Sequence, residues 1–190
     1  MPEDIILTEK TEGDIKTMWT KELFGTEKPI IALLHLDPLP GDPDFCGSLD
    51  TVIEHASCDV KALQEGGVDG VLIANEFSFP MTYVSHTETL MAMACVIGAI
   101  KKDIHVPFGT NVVMNPEETI RMAKAVGASF GRSAFAGAFT GTYGVHVNNF
   151  GENVRLKYAL GIPEMKLLCK INPEGDVLLA EQSIEEIIDN

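Results

Sequence analysis

His35 and Asp37, Asn75 and Glu76, Asn111 and Asn115, Arg132, and Lys170 and Asn172 each stand at or just past the end of a short apolar run. Such runs read as buried parallel strands, and α/β folds bind ligands at the carboxyl ends of those strands. Polar groups gathered at one rim fit a small polar or anionic ligand. His35 could act as a general base, or hold a metal ion together with Glu76; the other reading is an imidazole bonded to a loop carbonyl. Glu76 could be a general acid or base or a metal ligand, or a carboxylate that accepts backbone N–H bonds and pins its own loop. Arg132 offers a planar fork to a carboxylate or phosphate, or an internal ion pair with Glu76. Lys170 could form a Schiff base or bind phosphate, or run its stem out to solvent. His35, Glu76 and Lys170 are therefore the catalytic candidates, and Asp37, Asn75, Asn111, Arg132 and Asn172 the ligand-binding ones. Asn115, directly before Pro116, reads as a helix N-cap. No metal site is assigned, since His55, His86 and His105 show no H-x-x-x-H spacing, and the residues name no cofactor.

The elements that must hold these groups alternate. Strand-like runs cover residues 29–36, 68–74, 106–114, 128–135 and 165–171. Between them lie helical patterns over 49–65, 86–102, 116–126 and 152–160, and a fifth starts at Ser183 with Glu186 three residues on, a capping box. Ser48 and Asn115 are the expected N-caps, and Gly66-Gly67 and Gly127 the expected stops. Residues 1–28 form a polar lead-in, with Ile15, Met18, Trp19 and Leu23 at helical spacing behind Asp14, and 29–190 the main domain. The Gly-rich stretch 136–150 reads as a loop over the rim or a plain long connection, not a nucleotide cradle, because it lacks the G-x-G-x-x-G and Walker patterns. Five strand–helix units imply an α/β protein with a parallel sheet and right-handed crossovers. A five-stranded open sheet and part of a (β/α)8 barrel both satisfy that pattern; a full barrel takes about 250 residues, so length favours the open sheet.

Composition narrows the function classes. The chain has 190 residues, with 14 Lys plus Arg against 28 Asp plus Glu, a net charge of −14. Nucleic-acid binding and adsorption to anionic membranes both need a basic footprint that this balance does not supply. The longest apolar run, 90–100, is too short to span a bilayer and reads as a core helix, with Met91 and Met93 as fillers. Cys46, Cys58, Cys95 and Cys169 form no C-x-x-C pair, and the acidic start carries no secretory pattern, so reduced and mostly buried thiols in a cytoplasmic protein are expected.

Four segments carry a resemblance: LLHLDPLPG at 33–41, GGVDGVLIANE at 66–76, PFGTNVVMN at 107–115 and GASFGR at 127–132. In this order, each at a strand's end, they resemble the BtpA family, also seen as the SgcQ-like proteins, over about residues 28–185. The resemblance implies a TIM-type barrel close to the ribulose-phosphate-binding barrels, here incomplete with five units and without the loops after strands seven and eight that usually hold phosphate. Two positions depart from the family pattern: Gly131 stands where a bulkier apolar residue is usual, and Phe77-Ser78 follow Asn75-Glu76 in place of a Gly-Asp-like pair. The family's named member serves photosystem I accumulation. The functions implied are small-molecule binding or catalysis at the rim, a non-catalytic assembly or stability factor, or an inactive truncated relic. An incomplete barrel also leaves its outer strands unpaired, so a chain that folds alone is expected either to self-associate through those edges or to be marginally stable.

Overall fold

The computed structural model describes residues 19–171, 173, 175–180, 183, 185 and 186. Five strands pair in parallel: β1 (Ile31–His35), β2 (Gly70–Ala74), β3 (Phe108–Asn111), β4 (Phe130–Ser133) and β7 (Lys166–Cys169). Their order in the sheet is sequential, β1-β2-β3-β4-β7. Helices α1 (Leu49–Glu65), α2 (Thr87–Ile100), α3 (Pro116–Val126) and α4 (Phe150–Ala159) cross between them, and each helix contacts the next. A doubly wound open sheet reverses its strand order at a switch point and carries helices on both faces. This sheet does not reverse, and its four crossover helices lie in one layer, each against the next. It winds one way, as a barrel wall does, and it is not closed. The open-sheet alternative favoured by length is therefore corrected by strand order. β1 and β7 are its two edges.

Side-chain alternation divides the sheet cleanly. Leu34, Val71 and Ile73 face the helices and pack with Val52, Val60, Met93, Val96 and Ile97 in the main core. The other face is concave and carries Ile31, Leu72, Phe130 and Leu168. Its lower end is filled by residues 19–24, which are helical; Phe24 meets Phe130 edge-on at 5.5 Å, and Trp19 backs Phe24 at 6.4 Å. Residues 14, 15 and 18 of the expected lead-in helix lie outside the described residues. Leu33, higher on the concave face, is exposed.

The caps form as the spacing predicts. Ser48 accepts the Thr51 N–H, Asn115 accepts the Glu118 N–H, and Gly127 ends α3 at φ 81°. Ser183 and Glu186 form the reciprocal capping box, with bonds of 3.2 and 2.7 Å.

Three expectations need correction. The stretch 136–150 is neither a loop over the rim nor a plain connection. It holds two antiparallel strands, β5 (Gly137–Gly141) and β6 (Gly144–Asn148), and β8 (Val177–Leu178) joins them in a second sheet of order β6-β5-β8. The V-H-V-N alternation of β6 has the strand period, while its glycines, including Gly137 and Gly144 at φ 102° and 109°, give the stretch a loop composition. The four cysteines are free, as expected, but exposed rather than buried. Cys58 and Cys95 fall out of phase with the buried stripes of their helices (Val52, Ala56 and Val60; Ala92, Met93 and Val96), so helix geometry turns them outward. Met91 is turned out by the same phase, while Met93 is buried as expected.

One close approach holds the concave face together. A Cβ on Gly109 would lie 2.3 Å from the ring of Phe130, which is fully buried. Gly109→Ala is expected to force Phe130 off its place and destabilise the fold by about 1–3 kcal/mol, an overpacking cost. A urea midpoint unchanged from the parent would contradict this packing.

Candidate functional site

The parallel register builds the site from below. It places His35 level with Ala74, Ala74 with Asn111, and Arg132 with Leu168. β3 and β4 pair at Thr110 and Gly131, so the next residues along, Asn111 and Arg132, are neighbours as well. The result is one row, His35–Ala74–Asn111–Arg132–Leu168, across the upper end of the concave face. Adjacent strands sit about 4.8 Å apart, so neighbours in this row share one ligand's reach. Gly131, level with Thr110 on the helix side of β4, is fixed by packing, since a Cβ there would lie 2.7 Å from Met165 and 2.8 Å from Thr119.

Above the row is a cavity of about 210 Å³. Glu76, Asn111 and Lys170 line it, together with Ser133, His146 and Asp176. β7 brings Lys170 there by continuing the register one step, its N–H donating to the Ser133 carbonyl at 2.9 Å. Three of the residues expected from sequence thus meet in one cavity, and Arg132 lies beside one of them without lining it.

The end of β3 is locked from two sides. Thr119, on α3 and wholly buried, accepts the Val112 N–H at 2.9 Å, and its hydroxyl proton lies within reach of the Asn115 carbonyl of its own turn (2.9 Å) and of the Val112 carbonyl (3.2 Å). Asn75 reaches over from β2, its Oδ1 accepting the Val113 N–H at 2.9 Å. Asn75 accordingly faces a second cavity of about 220 Å³, shared with Ser78 and Thr89. Ser78 donates to Asp42 at 2.7 Å and so ties the loop after β2 to the loop after β1.

Among the described residues, the remaining expected ones do not line this cavity. Asp37 bonds His55 Nδ1 of α1 at 2.6 Å, which draws it toward the helix layer. The His35 ring stands edge-on to Phe77 at 5.8 Å. Asn172 lies outside the described residues. Among the described residues Glu76 and Arg132 do not form an ion pair, and no three His, Cys, Asp or Glu side chains gather as they would around a metal ion.

Sequence reasoning missed His146. Its ring stacks on Phe139 at 5.2 Å and 26°, and Tyr83 lies tilted against it at 4.8 Å and 37°. Two aromatic rings thus pack the imidazole into the cavity wall. Its Nδ1 and the Tyr83 hydroxyl are both buried with no hydrogen-bond partner among the described residues. Burial, and then the Asp176 carboxylate, push the Tyr83 phenol above its usual range, so it stays a donor. The signal available in sequence was the alternation of β6, which sends His146 and Asn148 to one side and Val145 and Val147 to the other.

With this geometry in place, comparison with known proteins gives a consistent picture. The profile of the BtpA family matches residues 26–190. The sgc region protein SgcQ of Escherichia coli (strain K12) is 45 % identical over 168 residues, covering 87 % of this chain and 63 % of SgcQ. The photosystem I biogenesis protein BtpA of Synechocystis sp. (strain PCC 6803) is 32 % identical over 143 residues, covering 73 % of this chain and 50 % of that protein. This chain thus spans between half and two thirds of the length of these two relatives. Among solved structures, 7,8-dihydropteroate synthase from Vibrio fischeri ES114 superposes with a TM-score of 0.54 at 16 % identity, over 77 % of this chain and 47 % of that one. That likeness bears on the fold alone, which it assigns to the TIM-barrel type.

The orphaned hydroxyl gives a signed prediction. Tyr83→Phe removes a buried group that has nothing to bond, so the variant is expected to be no less stable than the parent at neutral pH. A folded-state pKa raised above 10.0 leaves stability untouched by this group below pH 10.0 and lowers it as pH climbs past that value, because the unfolded chain gives up the proton more readily than the folded one. The alkaline loss of melting temperature should therefore be shallower in Tyr83→Phe. Equal alkaline slopes in the two proteins would count against the assignment.

Proposed function

The chain belongs to the BtpA family, and from that premise we propose that its strand-end rim binds a small phosphorylated or carboxylated metabolite. One observation carries the reading. Arg132 is half-buried on the concave face and has no acidic partner among the described residues, in a chain with twice as many acids as bases. A guanidinium removed from water ordinarily takes a carboxylate or phosphate, and none of the carboxylates among the described residues is paired with it. Asn111 beside it and Lys170 above supply further donors, while Glu76 and Asp176 offer acceptors to ligand hydroxyls. The cavity volume suits a molecule of a few carbons with an anionic end directed at Arg132. His35 closes the row at its far end, and Asn75 supports the floor through Val113. Glu76 and Lys170, which line the cavity, would exchange protons with such a ligand, and His35 remains a catalytic candidate for a ligand long enough to reach the far end of the row.

Four free, exposed thiols support a reducing, cytoplasmic setting. Among the described residues no helix is long and apolar enough to cross a membrane. Self-association through the free edges of β1 and β7 belongs to the same reading, because an unpaired strand is a template for another. A second reading, a non-catalytic assembly factor, takes its support from the name of the Synechocystis relative.

The test is ligand-induced stabilisation with defined probes: inorganic phosphate, glycerol 3-phosphate, ribose 5-phosphate, pyruvate and malonate. At least one is expected to raise the melting temperature in a saturable way. Arg132→Ala should then weaken that probe by about 30-fold or more, the cost of removing one partner of a desolvated charge pair, and Arg132→Lys should restore only part of it. A probe that binds equally to Arg132→Ala, or a panel with no binder, would defeat the proposal.

A further inference from the structure

We infer that the outer face of the second sheet is a self-association surface, packing against the same face of a second copy of this chain. The register defines it. Val145 pairs with Thr140, and Thr140 with Val177; Val147 pairs with Ala138, whose carbonyl accepts the Leu179 N–H. Side chains level with one another in a sheet share a face, so Val145–Thr140–Val177 and Val147–Ala138–Leu179 are two parallel rows. The branched members are far more open to water than the interior of a finished sheet allows: Val145 62 %, Val147 74 %, Val177 65 % and Leu179 55 %. The opposite face of the same three strands is covered, with Phe139 buried and stacked on His146. An antiparallel sheet with one packed face ordinarily turns polar residues outward; this one turns out β-branched aliphatics.

Electrostatics selects the occupant. Each copy carries a formal charge of −14, so two copies repel wherever their carboxylates meet. Residues 133–151, which include β5 and β6, form the longest stretch of the sequence without Asp, Glu, Lys or Arg. A cationic partner would gain little from the two rows, whose described residues are Val, Thr, Ala and Leu and carry no carboxylate. A second copy needs such a face, because it is where two strongly acidic chains can touch. A two-fold axis then matches the rows of one copy to those of the other, as one sheet packs on another.

The surface is distinct from the β1 and β7 edges. It lies on the same strand as His146 and Asn148, which point the other way into the cavity. Packing Val145 and Val147 therefore steadies the strand that forms one cavity wall.

Sedimentation equilibrium of the whole chain tests this. The parent is expected to approach twice the 20.6 kDa chain mass at tens of micromolar, and to associate more tightly as salt screens the like charges. Val147→Lys on β6 and Val177→Lys on β8, each checked for an unchanged far-ultraviolet spectrum, should each weaken the dimer by at least about tenfold, since each buries a charge in an apolar contact. Two variants on separate strands guard against a local folding defect. A parent that is monomeric throughout overturns the inference, whether or not it floats with neutral phosphatidylcholine vesicles. A dimer that persists in both variants also overturns it and points to the edge strands.

Discussion

Parallel pairing without slippage is the constraint on which the rest of this molecule depends. Five strands, each entering from the same end, stop at nearly the same height because their hydrogen-bond ladders fix who stands opposite whom. A shift of one residue in any strand would exchange its two faces, sending His35, Asn111 or Arg132 into the helix layer and an aliphatic side chain toward the rim. Burial prevents such a slip. Leu34, Val71 and Ile73 are wholly buried against the helices, and a slip of one residue would turn them away. The same constraint explains why the concave face can carry polar residues at its top. Its lower half is already filled by Phe24, Leu72 and Phe130, so the upper row is left for groups that need water or a ligand.

Loops then refine what the strands have set. The end of β3 is held by a side chain from the preceding unit, Asn75, and one from its own helix, Thr119, so the backbone around Asn111 has little freedom. The start of the second sheet is held in a similar way. Asn153 of α4, itself buried, donates to the Phe135 carbonyl at 2.8 Å and to the Asn149 carbonyl at 3.1 Å. Both ties use an amide side chain to satisfy backbone that no ladder reaches, which is the usual need of a buried turn.

Much of this was legible in the residues because it follows from period and punctuation. Ser48, Asn115 and Gly127 mark helix ends by chemistry that acts over a few residues. The apolar runs mark strands whose alternation with helices leaves few topologies. What was not legible depends on partners far apart in the chain. Asp37 stands at a strand end like the others, and nothing near it shows that His55, a full loop and two helical turns later, bonds it. Asn75 reads as a ligand contact, and only the fold shows that its side-chain oxygen also holds the loop after β3. The hairpin 137–148 was hidden by its glycines, and with it His146, because each strand is only five residues long and its burial is supplied by Tyr83 and Leu178 from other segments. The cysteines show a different failure. Residue type suggested burial, but helical phase decides it.

β6 is a ribbon five residues long with unlike duties on its two sides. Whatever rests on Val145 and Val147 and whatever occupies the space beside His146 press on a single length of backbone. If one guest rigidifies that ribbon, the other finds part of its ordering cost already met, and by thermodynamic reciprocity the favour is returned in equal measure. Occupancy inside and company outside would then report on each other without any displacement of the main sheet.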